Sequence, residues 1–285
     1  MRSPFPLAAF LIAAAGAGAC GDEDPSVDGN GNGIGAADAG PTDTGGEAVD
    51  AGPIDSGVPD RCELADSVEC VDAQITDLNL FEEPSPDGVT NEPLADGFRS
   101  VIDATGGVTF GGGPPIPTQS YVYVRFTDAG LEKVNVSDAD AFESGAWDLA
   151  ARRFVLRVNS GVAGPSCVRV ARTAPDTTFD GLAEVPDGLD YRTESYYSPE
   201  DCTIVSDGSG IGAPGVALGS YWTYRGCVEM TGNVYVLELP DGRSVKLEVE
   251  SYYSPDVQAY CDENGQLPDG PSGSGNLQIR WAFLD

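Results

Sequence analysis

The sequence predicts an all-β domain, an antiparallel sandwich or strongly curved sheet, and three observations lead there. Apolar residues recur at period two in several stretches after residue 62, turn-forming Gly, Pro, Asn and Asp separate those stretches, and helical periodicity is confined to a short helix near Asp138 to Phe142. In "SYVYVRF", Val122, Val124 and Phe126 share one face, and Tyr121, Tyr123 and Arg125 share the other. In "RRFVLRVNS", Phe154, Leu156 and Val158 alternate with Arg153, Val155 and Arg157. That parity assigns Arg153 and Arg157 to the solvent side of a strand and leaves Arg152 on the side of Phe154. "NVYVLELPDGRSVKLEVESYY" reads as a hairpin joined at Asp241-Gly242, a pair suited to positive φ. Lys246 has the opposite parity to Val245, Leu247 and Val249, which predicts an outer or cleft-facing position. "NLQIRWAF" closes the chain with Leu277, Ile279 and Trp281 on one face.

Two segments precede this domain, which is expected over 62–285. Residues 1–19 carry Arg2, an apolar run from Leu7 to Ala15, and the small residues Ala17-Gly18-Ala19, the layout of an export signal. The run is too short to span a bilayer as a helix. Cys20 follows directly, as in bacterial lipoprotein signals, where that cysteine is lipidated and anchors the protein to the membrane. Ala17 stands where such signals usually carry leucine, and the same three small residues also suit ordinary signal peptidase. Of seven cysteines, removing Cys20 leaves six, an even set for disulfides in an exported chain. The rest of 20–61 is rich in Gly, Asp, Ala and Pro with almost no large apolar residue, which predicts a disordered acidic tether. Within it "DGNGNG", Asp28 to Gly33, matches the opening of an EF-hand loop. Ala39 occupies the place of the required glutamate, so calcium binding is not the favoured reading.

Charge and composition exclude several function classes. With 46 acidic residues against 15 basic ones and a net charge of −31, nucleic acid is not an expected partner. The chain has no histidine, which removes Ser-His-Asp and Cys-His nucleophiles and His-ligated zinc. Oxidised cysteines would remove thiolate chemistry too. A hydrolase built on paired carboxylates has no spacing to recommend it. The chain is read as a binding protein and not an enzyme, with no metal site of its own.

"ESYYSP" occurs twice, at Glu194 to Pro199 and Glu250 to Pro255. One reading makes these two strand ends leaving the same sheet edge through Ser-Pro turns. The other makes Tyr196, Tyr197, Tyr252 and Tyr253 a paired rim around a ligand cleft. Cys62–Cys70 is expected as a local bridge, and Cys167, Cys202, Cys227 and Cys261 then allow three pairings. Of these, Cys202–Cys261 with Cys167–Cys227 is favoured because Cys202 and Cys261 trail the two copies.

Taken together, "WDLAARRFVLRVNSG" and "VYVLELPDGRSVKLEVESYY" resemble the HmuY family of bacterial surface lipoproteins. Trp147, Asp148, Leu149, Ala150, Arg153 and Asn159-Ser160-Gly161 match the first family motif. Tyr235, Asp241-Gly242, Lys246-Leu247 and Ser251-Tyr252-Tyr253 match the second. The similarity covers roughly Gln119 to Asp285. It implies a single HmuY-like antiparallel β domain, lipid-anchored in the cell envelope at the outer membrane or cell surface. Such a protein would bind haem or a related porphyrin and pass it to an outer-membrane receptor. Family members hold the iron through histidine, and relatives through methionine. Here the candidate axial ligands are Met230, Tyr196, Tyr197, Tyr252 and Tyr253, with Arg152 a candidate partner for a propionate. Packing is the alternative role for each of them. Trp147 is expected as a core anchor and Asp148 as a cap or brace of the turn before the strand. The rival use of the same scaffold is contact with a surface protein or glycan. A deep apolar cleft beside Arg152 would favour haem, and a flat aromatic-rimmed face would favour the rival.

Overall fold

The computed structural model describes residues 62–65, 67–108, 116–208 and 213–284. The export signal, Cys20, the tether and the Asp28–Gly33 loop lie outside the described residues. Along the chain come helix α1 (Val71–Asp77) and strands β1 (Val89–Pro93), β2 (Phe98–Asp103), β3 (Val122–Thr127) and β4 (Gly130–Val134). A 3₁₀ turn over Asp140–Phe142 leads to β5 (Leu149–Arg152), β6 (Val155–Val158) and β7 (Arg169–Arg172). Short strands β8 (Tyr197–Ser198), β9 (Thr203–Ile204), β10 (Trp222–Tyr224) and β11 (Val228–Met230) follow. The chain then forms β12 (Val234–Glu238), β13 (Ser244–Ser251), helix α2 (Pro255–Asn264) and β14 (Asn276–Leu284).

Two antiparallel sheets face each other. The larger runs β1-β2-β14-β13-β12-β7 and the smaller β4-β3-β5-β6. The expected inward residues meet between them. Val122, Val124 and Phe126 of β3 and Leu156 and Val158 of β6 pack against Val245, Leu247, Val249, Leu277, Ile279 and Trp281. Trp281, fully buried, donates its indole N–H to Ser100 Oγ at 2.9 Å. β12 and β13 pair from Val234↔Glu248 to Glu238↔Ser244 and close through Gly242 at φ 87°. The hairpin that Asp241-Gly242 announced is therefore present.

The outer faces are covered as well, and this overturns the expectation for the arginines. α1, the 3₁₀ turn and the segment around Tyr196 lie over the outside of the smaller sheet, enclosing Tyr121, Tyr123, Trp147, Ala150 and Val155 in a second core. Arg157 keeps the parity read from the sequence, but that face is dry and the residue is 1 % exposed. Arg153 is not in a strand. It occupies the two-residue turn between β5 and β6 at φ 54°. On the far side of the larger sheet, Phe179 and Leu182 cover Val234, Val236 and Ala282 as a third cluster. Lys246 lies on that face as expected but is buried beneath the covering segment, donating to Asp96 Oδ2 and to the carbonyls of Phe179 and Leu182.

All three expected disulfides are corrected. The bonds are Cys62–Cys167, Cys70–Cys202 and Cys227–Cys261. The expectation joined Cys62 to Cys70 and Cys202 to Cys261 by local order and by the repeat, whereas tertiary packing decides otherwise. α1 sits on the outer face of the smaller sheet, so the segment before it is stapled at both ends to what it covers. The ESYYSP copies do not leave one sheet edge. Tyr197 pairs with Ile204 in a two-strand ribbon, while Ser251 ends β13 in the large sheet. In the second copy Ser-Pro opens a helix, not a turn. Ser254 stands at the N-cap of α2, Pro255 begins it, and Gly265 stops it at φ 65°.

Candidate functional site

Asp138, 0 % exposed, organises the buried polar cluster on the outer face of the small sheet. Its Oδ1 accepts from the Tyr121 N–H at 2.9 Å and the Tyr123 hydroxyl at 2.8 Å, and its Oδ2 accepts from the Phe81 N–H at 3.2 Å. Arg152 Nη1 lies 3.4 Å from Oδ2 and Arg157 Nη2 lies 3.9 Å from Oδ1. Both guanidinium groups sit over the Tyr121 ring, at 4.3 and 4.2 Å. Arg152 also donates to the carbonyls of Leu78 and Asn79, and Arg157 to the hydroxyls of Tyr123 and Tyr196. Burial works against the charge of Arg157, yet the field of Tyr123, Tyr196, Tyr121 and Asp138 outweighs it and holds the group protonated. This is an internal brace. Arg152, the candidate propionate partner, spends its fork on protein groups in a closed core.

The residues of the WDLA and NSG motifs form a second brace beside it. Trp147 donates to the Ala141 carbonyl at 3.2 Å, and Asp148 Oδ2 accepts from the Phe126 N–H at 2.9 Å. Asn159 donates to the carbonyls of Ser144 and Trp147 and accepts from the Ser166 N–H. Gly161, at φ 54°, leaves room for no side chain, since a Cβ there would stand 2.1 Å from the Glu194 carbonyl oxygen. The buried Glu194 ties two strands of chain together, accepting from the Val158 N–H through Oε1 and the Ala217 N–H through Oε2, both at 2.8 Å. Burial raises its carboxyl to about 7, and raises that of Asp148 to about 6.

The tyrosine pairs do not form a rim. All four rings are buried, in two different cores. The Tyr196 hydroxyl accepts from Arg157 and donates to Gln74 Oε1 at 3.2 Å, and that of Tyr197 donates to Asp77 Oδ2 at 3.0 Å. Tyr253 accepts from the Val228 N–H at 3.0 Å, while the Tyr252 ring lies under Arg153 and against Phe154. Burial pushes the phenols of Tyr197 and Tyr252 up to about 12. Buried phenols that keep their protons and are already hydrogen-bonded are poor donors to a ferric iron. Met230 is half-buried in β11, directly opposite Trp222.

A cleft of about 390 Å³ opens beside the β5–β6 turn. Its wall consists of Phe154 and Val155 from that turn and strand, Ala213 to Val216, Leu218 to Tyr224, and Asp207-Gly208. Phe154 and Trp222 meet edge to face at 5.2 Å and 61°, and Tyr224, 52 % exposed, stands at the mouth. Glu194 positions this wall through the backbone of Ala217, which joins the lining residues Val216 and Leu218. The volume falls in the range of small-molecule sites. None of the candidate ligand residues Met230, Arg152, Tyr196, Tyr197, Tyr252 and Tyr253 lines it. The overlooked signal was the aromatic run Tyr221-Trp222-Tyr224 after the Gly- and Pro-rich "GIGAPGVALGS".

The wall offers aromatic faces to a flat ring and few donors to an iron. Among its residues the only groups of axial-ligand type are Tyr221 and Tyr224. The Tyr221 hydroxyl is buried and donates to the Phe154 carbonyl at 2.6 Å. All six cysteines of the domain are in disulfides, and Met230 is not part of the wall. Among the described residues no cluster of three or more acidic or cysteine side chains is arranged to hold a metal ion, and no helix is long and apolar enough to cross a membrane.

No family model and no curated protein matches the chain. Its structural neighbours include HmuY-like chains. It is similar to a candidate lipoprotein from Bacteroides fragilis with TM-score 0.41 and 13% identity, over 67% of this chain and 93% of that one. A candidate HmuY-like haem-binding protein from Bacteroides vulgatus gives 0.39 and 16%, over 71% and 96%. The apo HmuY analogue of Tannerella forsythia gives 0.37 and 15%, over 70% and 97%.

Proposed function

We propose that this chain is a binding protein of the bacterial cell envelope, not an enzyme, and that it captures haem or a related porphyrin in the cleft between the β5–β6 turn and β10. The reading is carried by one observation. The turn of the motif that resembles the HmuY family, WDLAARRF, delivers Phe154 to a cleft whose other rings are Tyr221, Trp222 and Tyr224. Lipidation at Cys20 would anchor the chain at the outer membrane, the acidic tether of 20–61 would hold the domain away from it, and an outer-membrane receptor would take the ligand on.

The test is a titration with hemin followed at the Soret band. A saturable one-to-one change at about micromolar affinity or tighter supports the reading. A spectrum that stays that of free hemin refutes it. A second use of the same cleft, contact with a surface glycan or protein, is favoured by the exposure of Tyr224 and by Asp207, the one charged residue of the wall. Saturable binding of neutral oligosaccharides, with hemin unable to displace them, would favour that use.

A further inference from the structure

We infer that the cleft holds its ligand by ring stacking alone, so that it takes a metal-free porphyrin as readily as an iron porphyrin. The inference rests on the proposed function above and narrows it. Two rings set at 61° with centroids 5.2 Å apart form a corner. A flat macrocycle laid on one of them meets the edge of the other, and both contacts are made to its π-face, whatever occupies its centre. Phe154 is itself backed by Tyr252 at 6.3 Å, so the corner has support from the main core.

Iron would add affinity only through a protein atom that binds it, and most of the donors able to do so are absent or committed. The chain has no histidine. The six domain cysteines are oxidised. The Tyr221 hydroxyl is spent on the Phe154 carbonyl. The remaining candidates are Tyr224 at the mouth and Met230, which stands across the β10–β11 ladder from Trp222.

The experiment titrates hemin and metal-free protoporphyrin IX separately into the disulfide-intact protein. Both are expected to bind one-to-one with dissociation constants within about threefold of each other. Trp222→Ala and Tyr224→Ala are each expected to weaken both ligands together, by about tenfold. Tyr224 is exposed, so its variant tests the wall even if Trp222→Ala disturbs the hairpin. In Tyr224→Phe and Met230→Leu the ratio of the two affinities is expected to stay at the wild-type value. Hemin binding about thirtyfold or more tighter than the metal-free ring would overturn the inference. So would a ratio that collapses in either of the last two variants, because the iron would then have a protein ligand. Binding of hemin alone would remove this inference and leave the proposed function standing, whereas binding of neither would remove both.

Discussion

Asp138→Asn is the perturbation that most directly probes the buried brace. The substitution keeps the shape of the side chain and removes the negative charge between two guanidinium groups that are 5 % and 1 % exposed. In one orientation the new amide points N–H at the Phe81 N–H and at Arg152, replacing two acceptor contacts at 3.2 and 3.4 Å with donor against donor. In the other it turns those donors on the Tyr121 N–H at 2.9 Å and leaves Arg157 without a carboxylate. Removing one partner of a buried pair costs about 3–5 kcal/mol, chiefly because the remaining charge is stranded. With a urea slope of about 2 kcal/mol/M, a loss of about 4 kcal/mol lowers the unfolding midpoint by about 2 M. Asp140→Asn is the control. That carboxylate is exposed and accepts from the Ser137 hydroxyl, so its loss should move the midpoint by less than about 0.5 M. Urea unfolding of the oxidised protein by circular dichroism reads both. If Asp138→Asn unfolds within about 0.5 M of wild type, the arginines are held by the rings of Tyr121, Tyr123 and Trp147 and the ionic account is wrong.

Three further outcomes are expected. Glu194 has a carboxyl pushed by burial to about 7, above its ordinary 4.5, so the native state binds the extra proton between those values. Stability therefore falls as pH rises through that window, by about 3 kcal/mol, and then levels off. Asp148 adds a change of the same sign up to about pH 6. Unfolding midpoints at pH 5 and pH 8 check this, Glu194→Gln should flatten the slope, and greater stability at pH 8 would contradict it. Replacing Cys70 and Cys202 by alanine with Cys62–Cys167 intact opens an effective loop of about 43 residues and should cost about 4 kcal/mol, close to the cost for the 34-residue loop of Cys227–Cys261. Peptide mapping of the oxidised protein should return the three pairs described above, and a Cys202–Cys261 peptide would refute that connectivity. Gly161→Ala forces a Cβ onto the Glu194 carbonyl at positive φ and should destabilise by more than about 2 kcal/mol in a thermal melt, whereas an unchanged melting temperature would mean that this turn is slack.

The strands were legible because their burial is a period-two property of the chain itself. Val122, Val124 and Phe126, and Leu277, Ile279 and Trp281, point where their alternation says. What covers the outer faces was not legible. Arg157 reads as a wet residue because charge on the outer parity of a strand normally is. Here α1 and the Tyr196 segment close over it, and no local pattern in β6 announces that. Disulfide pairing failed for the same reason, since Cys62–Cys167 and Cys70–Cys202 join segments more than a hundred residues apart. α2 had its start and stop in the text, Ser-Pro and Gly265, but its apolar residues are too few to show a helical stripe. The candidate site was not legible because no local pattern sets its rings apart from core aromatics. Phe154, Trp222 and Tyr224 become a site only when the β5–β6 turn meets β10.

Hydrogen exchange of the oxidised protein with and without hemin tests the central claim most directly, because it reports where the ligand sits. The account predicts slowed exchange in the β5–β6 turn around Phe154 and Val155 and in the segment from Ala213 to Tyr224, with the brace around Asp138 and Tyr196 unchanged. Protection confined to Tyr196 and Tyr197, or none anywhere under saturating hemin, would contradict it.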